Sequence, residues 1–533
     1  MNTLYYGDNL EILRKYVADE SVDLIYLDPP FNSNRAYNVI FQDKTGKYSA
    51  AQIQAFEDTW HWSPETQSAF DEMMTGNYPN DLKNMMNAFR QFMDSNDLMA
   101  YLTMMAIRLV ELRRVLKNTG SIYLHCDPTA NHYLKILLDY VFGSANFRNE
   151  IIWQRTRVAK RQSNFWGKNY DNILFYTNSQ DFTFNGQFTE HPESYKNSHY
   201  NLIEPETGRR YGLWDFTQSG DGEARRFGES SLKPPAGKHW IWSQERIDEA
   251  FKEGRIVITK GGMPRLKRYL DVSKGEYVQA IWSDLFDINS MAKERLGYPT
   301  QKPVALLERI IQASSNEGGV VLDPFCGCGT AVVAAEKLGR KWMGIDITHL
   351  AIALIKKRLA DHFPDIKFEV IGEPKSADDA ARLFEQSPFQ FESWAVSLIG
   401  GQPYKSKGGG DRGVDGLLYF EDAASEFHRI IIEVKGGGYH PKDMRALKQV
   451  MQREEAPLGI LIALHPPSRG MMSEAAAMGK WKMPGVDLEY PVLQIITIQE
   501  LFDGRKLDLP NIRDTLKRAN REIREKEKTL KLL

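Results

Sequence analysis

Cysteine is nearly absent: the 533 residues contain three, Cys126, Cys326 and Cys328. So few cannot staple a small secreted scaffold, and such usage fits a reducing cytoplasm. Long apolar runs are missing as well. No stretch approaches the ~18 consecutive apolar residues that a membrane span needs. The opening MNTLYYGDNLEILRKY has no basic flank followed by an apolar run, so no signal peptide is expected. An excess of one charge is lacking too, with a formal net charge of −2. A polyanionic partner would have to be held by local basic patches rather than by the field of the whole molecule. The rest is ordinary for a globular chain: 42% hydrophobic and 26% charged residues. The length suits roughly two to four domains.

The apolar run VDLIYL (22–27) stops at Asp28-Pro29-Pro30-Phe31, which reads as a buried strand ending in a proline-locked loop. A polar stretch over 48–98 reads as an insertion. Helical spacing at 99–117 leads to a strand at 121–127, a helix at 129–142 and strands at 150–154 and 172–178. Periodicity fades between 180 and 285, where short strands and loops are expected. It returns with a helix (303–315), the strand VVLD (320–323), the turn PFCGCGT, a helix (331–339) and the strand KWMGIDI (341–347). That β-α-β unit implies a parallel sheet. A helix at 348–361 and a strand near 367–371 follow. GEPKSADDA (372–380) reads as a linker. Beyond it come a helix near 381–399, a hairpin-like pair (416–420, 428–435), a helix (441–454) and a strand (459–464). The tail 511–531 reads as a solvated charged helix.

The turn Asp323-Pro324-Phe325-Cys326-Gly327-Cys328-Gly329-Thr330 joins a strand to a helix. Its glycines would let backbone approach a ligand at the helix N-terminus. Asp346, nineteen positions after Gly327, stands where a ribose hydroxyl would be held. This pair alone would equally serve a dinucleotide. Asp28-Pro29-Pro30-Phe31 narrows the choice. An aromatic amine is a poor nucleophile because its lone pair is delocalised. The Asp28 carboxylate and the Pro29 carbonyl could accept its two N–H bonds and free that lone pair. Pro30 would hold the acceptors rigid, and Phe31 could stack on the base.

With Gly7-Asp8-Asn9 and Thr300-Gln301-Lys302-Pro303, these motifs resemble the permuted (beta-class) amino-methyltransferases of DNA over roughly 1–180 and 285–372. The resemblance implies an α/β fold: a Rossmann-like sheet binding S-adenosyl-L-methionine, with the catalytic motif first and the cofactor motif second. It implies that Asp8 and Asp346 contact the cofactor's adenosine. Asp323, Phe325, Gly327, Gly329 and Thr330 would surround its methionine part. Thr300, Lys302 and Pro303 would close over the pocket. Cys328 replaces the family's usual serine; both are small. Asp at position 28 favours adenine N6, with cytosine N4 as the alternative. The acceptor base would be flipped out of double-stranded DNA. His125 reads as a satisfied core histidine.

Trp153 to Lys168 interleaves aromatics with the cations Arg155, Arg157, Lys160, Arg161 and Lys168 and carries no acid, a pattern suited to phosphate contact and stacking. In the C-terminal part, Glu433 and Lys435 share a strand face and would point towards Asp415 on the neighbouring strand. Asp415 and Glu433 could hold Mg²⁺, and Lys435 could position a water. This resembles the PD-(D/E)xK nucleases, the Mrr-like branch in particular, with Glu392 and Gln449 as further marks. The alternative is an inactive DNA-binding remnant. The expected organisation is a methyltransferase domain (1–180 and 286–372), a target-recognition insertion (181–285), a linker (373–380), a restriction-endonuclease-like domain (381–510) and a charged helix (511–533). A cytoplasmic restriction–modification enzyme is the expected whole, with no membrane partner; a homodimer is compatible with the chain but not specified by it.

Overall fold

The computed structural model describes residues 2–30, 36–42, 48–57, 62–158, 166–289, 292, 294–296, 298, 300–404, 413–422 and 426–510. Two compact units emerge, one of 1–185 with 280–533 and one of 186–279. The first is built on a nine-stranded sheet. Its strands are β1 (Asn2–Tyr6), β2 (Val22–Leu27), β3 (Leu116–Cys126), β4 (Phe147–Gln154), β5 (Tyr170–Thr177), β6 (Ile281–Trp282), β7 (Val320–Asp323), β8 (Lys341–Asp346) and β9 (Phe368–Ile371). Their order is β6-β4-β5-β3-β2-β7-β8-β1-β9. Only β5 runs antiparallel to its neighbours in this sheet.

Parallel strands covered on both faces read as unbroken apolar runs. β2 fits that rule, with Val22, Leu24, Ile25, Tyr26 and Leu27 all buried. It ends where it must, since prolines 29 and 30 cannot donate to a ladder. Beside it, Val321 and Leu322 of β7 pair with Leu24 and Ile25. The loops after β2 and β7 therefore leave the same carboxyl edge side by side. β1 and β8 form the next pair, with Tyr6 opposite Asp346. Chain connections diverge between β2 and β7, the position where open α/β sheets bind ligands.

Helix Asp97–Val115 packs into the core under this sheet, its first turn capped by the Asn96 side chain accepting from the Met99 N–H at 2.8 Å. Helix boundaries differ from expectation at the C-terminal side. The stretch 373–380, expected as a linker, becomes helix at Ala377, because the Ser376 hydroxyl accepts from the Asp379 N–H. The single helix expected at 381–399 is two, Ala377–Gln386 and Pro388–Leu398, broken at Pro388. β1 was not anticipated. The expected charged helix at 511–533 lies outside the described residues.

The C-terminal part of this unit has its own five-stranded sheet: Gln402–Pro403, Gly416–Glu421, Phe427–Lys435, Leu458–Ala463 and Leu493–Thr497, in that spatial order. Helices Pro441–Arg453 and Arg469–Ala477 cover it through Met444, Leu447 and Met471. The second unit holds a four-stranded antiparallel sheet and a small aromatic core of Phe216, Phe227 and Trp240. Among the described residues, no helix is long and apolar enough to cross a membrane.

Candidate active site

A cavity of about 280 Å³ opens at the carboxyl edge of β1, β2, β7 and β8. Asp28 and Pro30 form part of its wall; so do Asp8, Thr300, Lys302, Asp323, Phe325, Gly327, Thr330 and Asp346. Two loops separated by some three hundred residues thus share one pocket. Pro29, Pro303 and Gly329 are not in the wall. Pro303 is the N-cap of helix Val304–Ser314. Gly329 caps Thr330–Lys337 at φ +74, where a Cβ would sit 2.7 Å from Ile355. Only glycine takes that backbone without strain or clash. Phe31 lies outside the described residues.

The glycine turn is tied down by Asp346. Its Oδ2 accepts from the Gly327 N–H at 2.9 Å, and its Oδ1 accepts from the Thr348 N–H and hydroxyl at 2.8 and 2.7 Å. Little of its acceptor capacity is left for a ribose. Asp8 is similarly engaged: it caps helix Asn9–Tyr16 through the Leu10 and Glu11 N–H groups and pairs with Arg108 at 2.7 Å.

Asp28 is paired with the buried Lys302 ammonium. Burial works to lower the Lys302 pKa, yet the Asp28 and Asp171 carboxylates carry it above its ordinary value. Asp323 makes no ion pair among the described residues, and the Lys302 charge offsets its burial only in part. Burial pushes its carboxyl well above the usual range, against the single N–H it receives from Phe325 at 3.1 Å. Asp346 is raised by burial as well. The wall therefore holds four carboxyl groups, of Asp8, Asp28, Asp323 and Asp346, against two cations, Arg108 and Lys302. Such a pocket suits a ligand bringing positive charge, as a sulfonium and an α-ammonium do.

A buried polar chain backs Asp28. Tyr26 and His125 Nδ1 are 2.9 Å apart, and His125 Nε2 lies 3.1 Å from Asp171 Oδ2. Arg155 Nε stands 3.3 Å from the same carboxylate. His125 is thus a fully engaged core histidine, and Arg155 is partly exposed with its Nε paired with Asp171. Arg157 and Lys168 are exposed, with the Arg157 guanidinium 4.3 Å from the Phe286 ring centre. Lys160 and Arg161 lie outside the described residues.

Several wall residues were not anticipated: Tyr26, Arg108, Tyr298 and Ile347. Arg108 is a lone charge among the buried residues of its helix, which was a readable signal. Tyr298 and Ile347 sit within two residues of predicted positions. Tyr298 packs against Gly327, where a Cβ would be 3.4 Å from its ring.

At the second predicted site, Asp415, Glu433 and Lys435 do come together. Asp415 Oδ2 accepts from the Val434 N–H at 2.6 Å, and Lys435 Nζ lies 2.7 Å from Glu433 Oε1. Burial tends to lower the Lys435 pKa, but Glu433 and Asp415 hold it above its ordinary value. Gln449 stands exposed on its helix and Glu392 is half-buried on Pro388–Leu398.

A doubly wound sheet with an acidic cavity at its switch point defines a nucleotide-type α/β enzyme of the Rossmann-like methyltransferase class. Residues 22–357 match the family described as DNA methylase, the N6/N4 amino-methyltransferases, and the chain belongs to that family. Residues 388–503 match a second family, NACHT-associated inactive restriction endonuclease 1. The chain is 28% identical over 370 residues to the type II methyltransferase M.EcaI of Enterobacter cloacae, covering 67% of this chain and 69% of that one. It is 24% identical over 391 residues to the DNA adenine methyltransferase YhdJ of Escherichia coli K12, covering 72% and 93%. Among solved structures, a DNA modification methylase of Thermus thermophilus, TTHA0409, complexed with S-adenosyl-L-methionine, aligns at TM-score 0.34 and 15% identity over 70% of this chain and 99% of its own.

Proposed function

We propose that this chain transfers a methyl group from S-adenosyl-L-methionine to N6 of an adenine flipped out of duplex DNA. One observation carries the reading: Asp28 and Pro30 line one cavity with residues of the Asp323–Thr330 turn. The bound donor supplies an electrophilic methyl on a positively charged sulfur. Asp323 in the cavity wall would offset that charge, and Asp346 fixes the Gly327 turn. Asp28 and the Pro29 carbonyl accept the two amine N–H bonds and direct the nitrogen lone pair. Lys302 keeps the Asp28 side chain aimed into the cavity, and Asp28 takes up the proton that leaves nitrogen. Phe31 is the proposed stacking platform. Arg157, Lys160, Arg161 and Lys168 are proposed phosphate contacts, and 181–285 the target-recognition region.

Adenine is preferred over cytosine on the Asp at position 28, and YhdJ, a relative over most of its length, is named for that base. The test is transfer of labelled methyl from donor to duplex DNA, followed by nucleoside mass spectrometry. Label in N6-methyladenine is expected. Label in N4-methylcytosine removes the adenine assignment, and no label on any DNA removes the reading.

A second activity rests on Asp415, Glu433 and Lys435 meeting at the ends of two neighbouring inner strands of the C-terminal sheet. Two carboxylates there could hold Mg²⁺ and Lys435 could orient a water. The matched family is described as inactive, so we assign the domain to DNA or partner binding and keep cleavage as the alternative. Nicking of plasmid by the wild type with Mg²⁺, lost in Asp415→Asn, would reverse that assignment.

A further inference from the structure

The cavity wall takes three consecutive residues from each of two adjacent strand ends: Gly7-Asp8-Asn9 after β1 and Asp346-Ile347-Thr348 at the end of β8. The residue immediately behind the first set is Tyr6, and the one immediately beyond the second is His349. Their rings stack with centres 3.6 Å apart. The two strand ends are also joined by backbone, the Gly7 N–H donating to the Asp346 carbonyl at 3.0 Å. The stacked rings therefore lie directly behind the loops that would clasp an adenosine.

What lies behind the rings comes from the C-terminal part of the chain. The Tyr6 hydroxyl donates to Gln390 Oε1 on helix Pro388–Leu398. Burial pushes the Tyr6 pKa up, so the hydroxyl keeps its proton and stays a donor. Trp394 of the same helix, fully buried, has its ring centre 6.3 Å from that of His349. His349 itself is buried with neither ring nitrogen hydrogen-bonded. The Tyr6 ring, stacked on one side, and the tilted Trp394 ring flank it, and Glu373 Oε1 lies 4.0 Å from its Nδ1. The chain leading to the helix presses on the same residue: at Gly372, φ +99, a Cβ would sit 2.1 Å from the Tyr6 carbonyl oxygen.

We propose that helix Pro388–Leu398 of the restriction-endonuclease-like region is a positioning element for the methyl donor: through Gln390 and Trp394 it sets the stacked Tyr6–His349 pair, and thereby the donor affinity of the adjoining loops. This rests on the reading of the cavity as the donor site. Linkage makes the effect reciprocal: donor binding steadies the C-terminal region as the C-terminal region steadies the donor site. The C-terminal region then has a use within the methyltransferase whether or not it cleaves, as the place where a partner or DNA contact can alter methylation.

The test uses the full chain and equilibrium binding of S-adenosyl-L-methionine, with steady-state methylation of duplex DNA alongside. Gln390→Ala and Tyr6→Phe each remove the same hydrogen bond. Each is expected to weaken donor binding about fivefold or more, the low end of typical couplings between sites. The double variant is expected to be no weaker than the worse single one. Gln390→Glu, which keeps the acceptor, should bind within about twofold of wild type. In Gln390→Ala, kcat at saturating donor and KM for DNA should hold while KM for donor rises. Wild-type donor affinity in both Gln390→Ala and Tyr6→Phe, or additive losses in the double variant, overturns the proposal. A wild type that takes up no donor overturns instead the reading of the cavity, and this proposal with it.

Discussion

At the scale of single residues, the cavity divides labour among its carboxylates according to what each already touches. Asp346 and Asp8 are occupied by backbone donors and Arg108, so they hold loops in place. Asp28 is left with a lysine on one side and open cavity on the other. Asp28→Ala should lower kcat by about 10²–10³, the usual loss when one preorganised polar group is removed from a transition state. Donor affinity, measured by calorimetry, should stay within a few-fold; a variant retaining full kcat would exclude Asp28 from the chemistry. Asp323 gives a different prediction. Its pKa is raised, chiefly by burial, so it becomes neutral at a higher pH than an ordinary carboxylate. A cationic donor is attracted only by the ionised form. Donor affinity should therefore weaken as pH falls through that raised pKa. Asp323→Asn should bind poorly at every pH and lose the dependence. A pH-independent wild type would contradict this.

At the scale of elements, backbone conformation and capping decide what can vary. Gly329→Ala would put a methyl 2.7 Å from Ile355 in a left-handed backbone. About 1–3 kcal/mol of stability should be lost, as for other residues forced into such conformations, measured by denaturant unfolding. His349 opens helix His349–His362 and carries a pH signature. Burial holds its pKa near 3, below the ordinary 6.5. Between those values the unfolded chain binds the extra proton and the folded chain does not, so stability falls as pH drops below 6.5. By about pH 5 the loss from this group should reach about 2 kcal/mol. His349→Phe keeps the stack and should flatten that slope; an unchanged slope would assign the acid sensitivity elsewhere. Elements like these were legible in proportion to how local their causes are. β2 and β7 match their apolar runs residue for residue, since the Asp-Pro steps that stop them are adjacent in sequence. The helix starting at Ala377 was missed although Ser376 and Asp379 have capping spacing, because the polar composition of 372–380 suggested a linker. Arg108 reaches the cavity from a distant helix, and Tyr26 and Tyr298 flank the short motifs without belonging to them, so their partners there cannot be read from spacing. Asp28 and the glycine turn were readable because the chemistry is written in short motifs. Their meeting depended on β2 lying beside β7, which strand order alone decides.

At the scale of the whole molecule, a chain of net charge −2 approaching duplex DNA gains nothing from its overall field. Affinity must then come from a few cations set against phosphates, and it should vary steeply with salt. Arg155 is partly exposed but its Nε is paired with Asp171, so the test leaves it in place. Arg157 and Lys168 are exposed on the segment that follows β4, and each could release counterions from one phosphate. Replacing both with alanine should make the plot of log affinity against log salt shallower by roughly 2, at about 0.9 per phosphate contact. Because phosphate contacts carry no sequence information, the loss should be the same on cognate and unrelated duplexes. Fluorescence anisotropy across a salt series with both duplexes measures slope and specificity together. An unchanged slope would move the phosphate contacts off this segment. A loss confined to the cognate duplex would make these residues readers of bases instead, and the proposed target-recognition region, 181–285, would then be joined by the segment between β4 and β5.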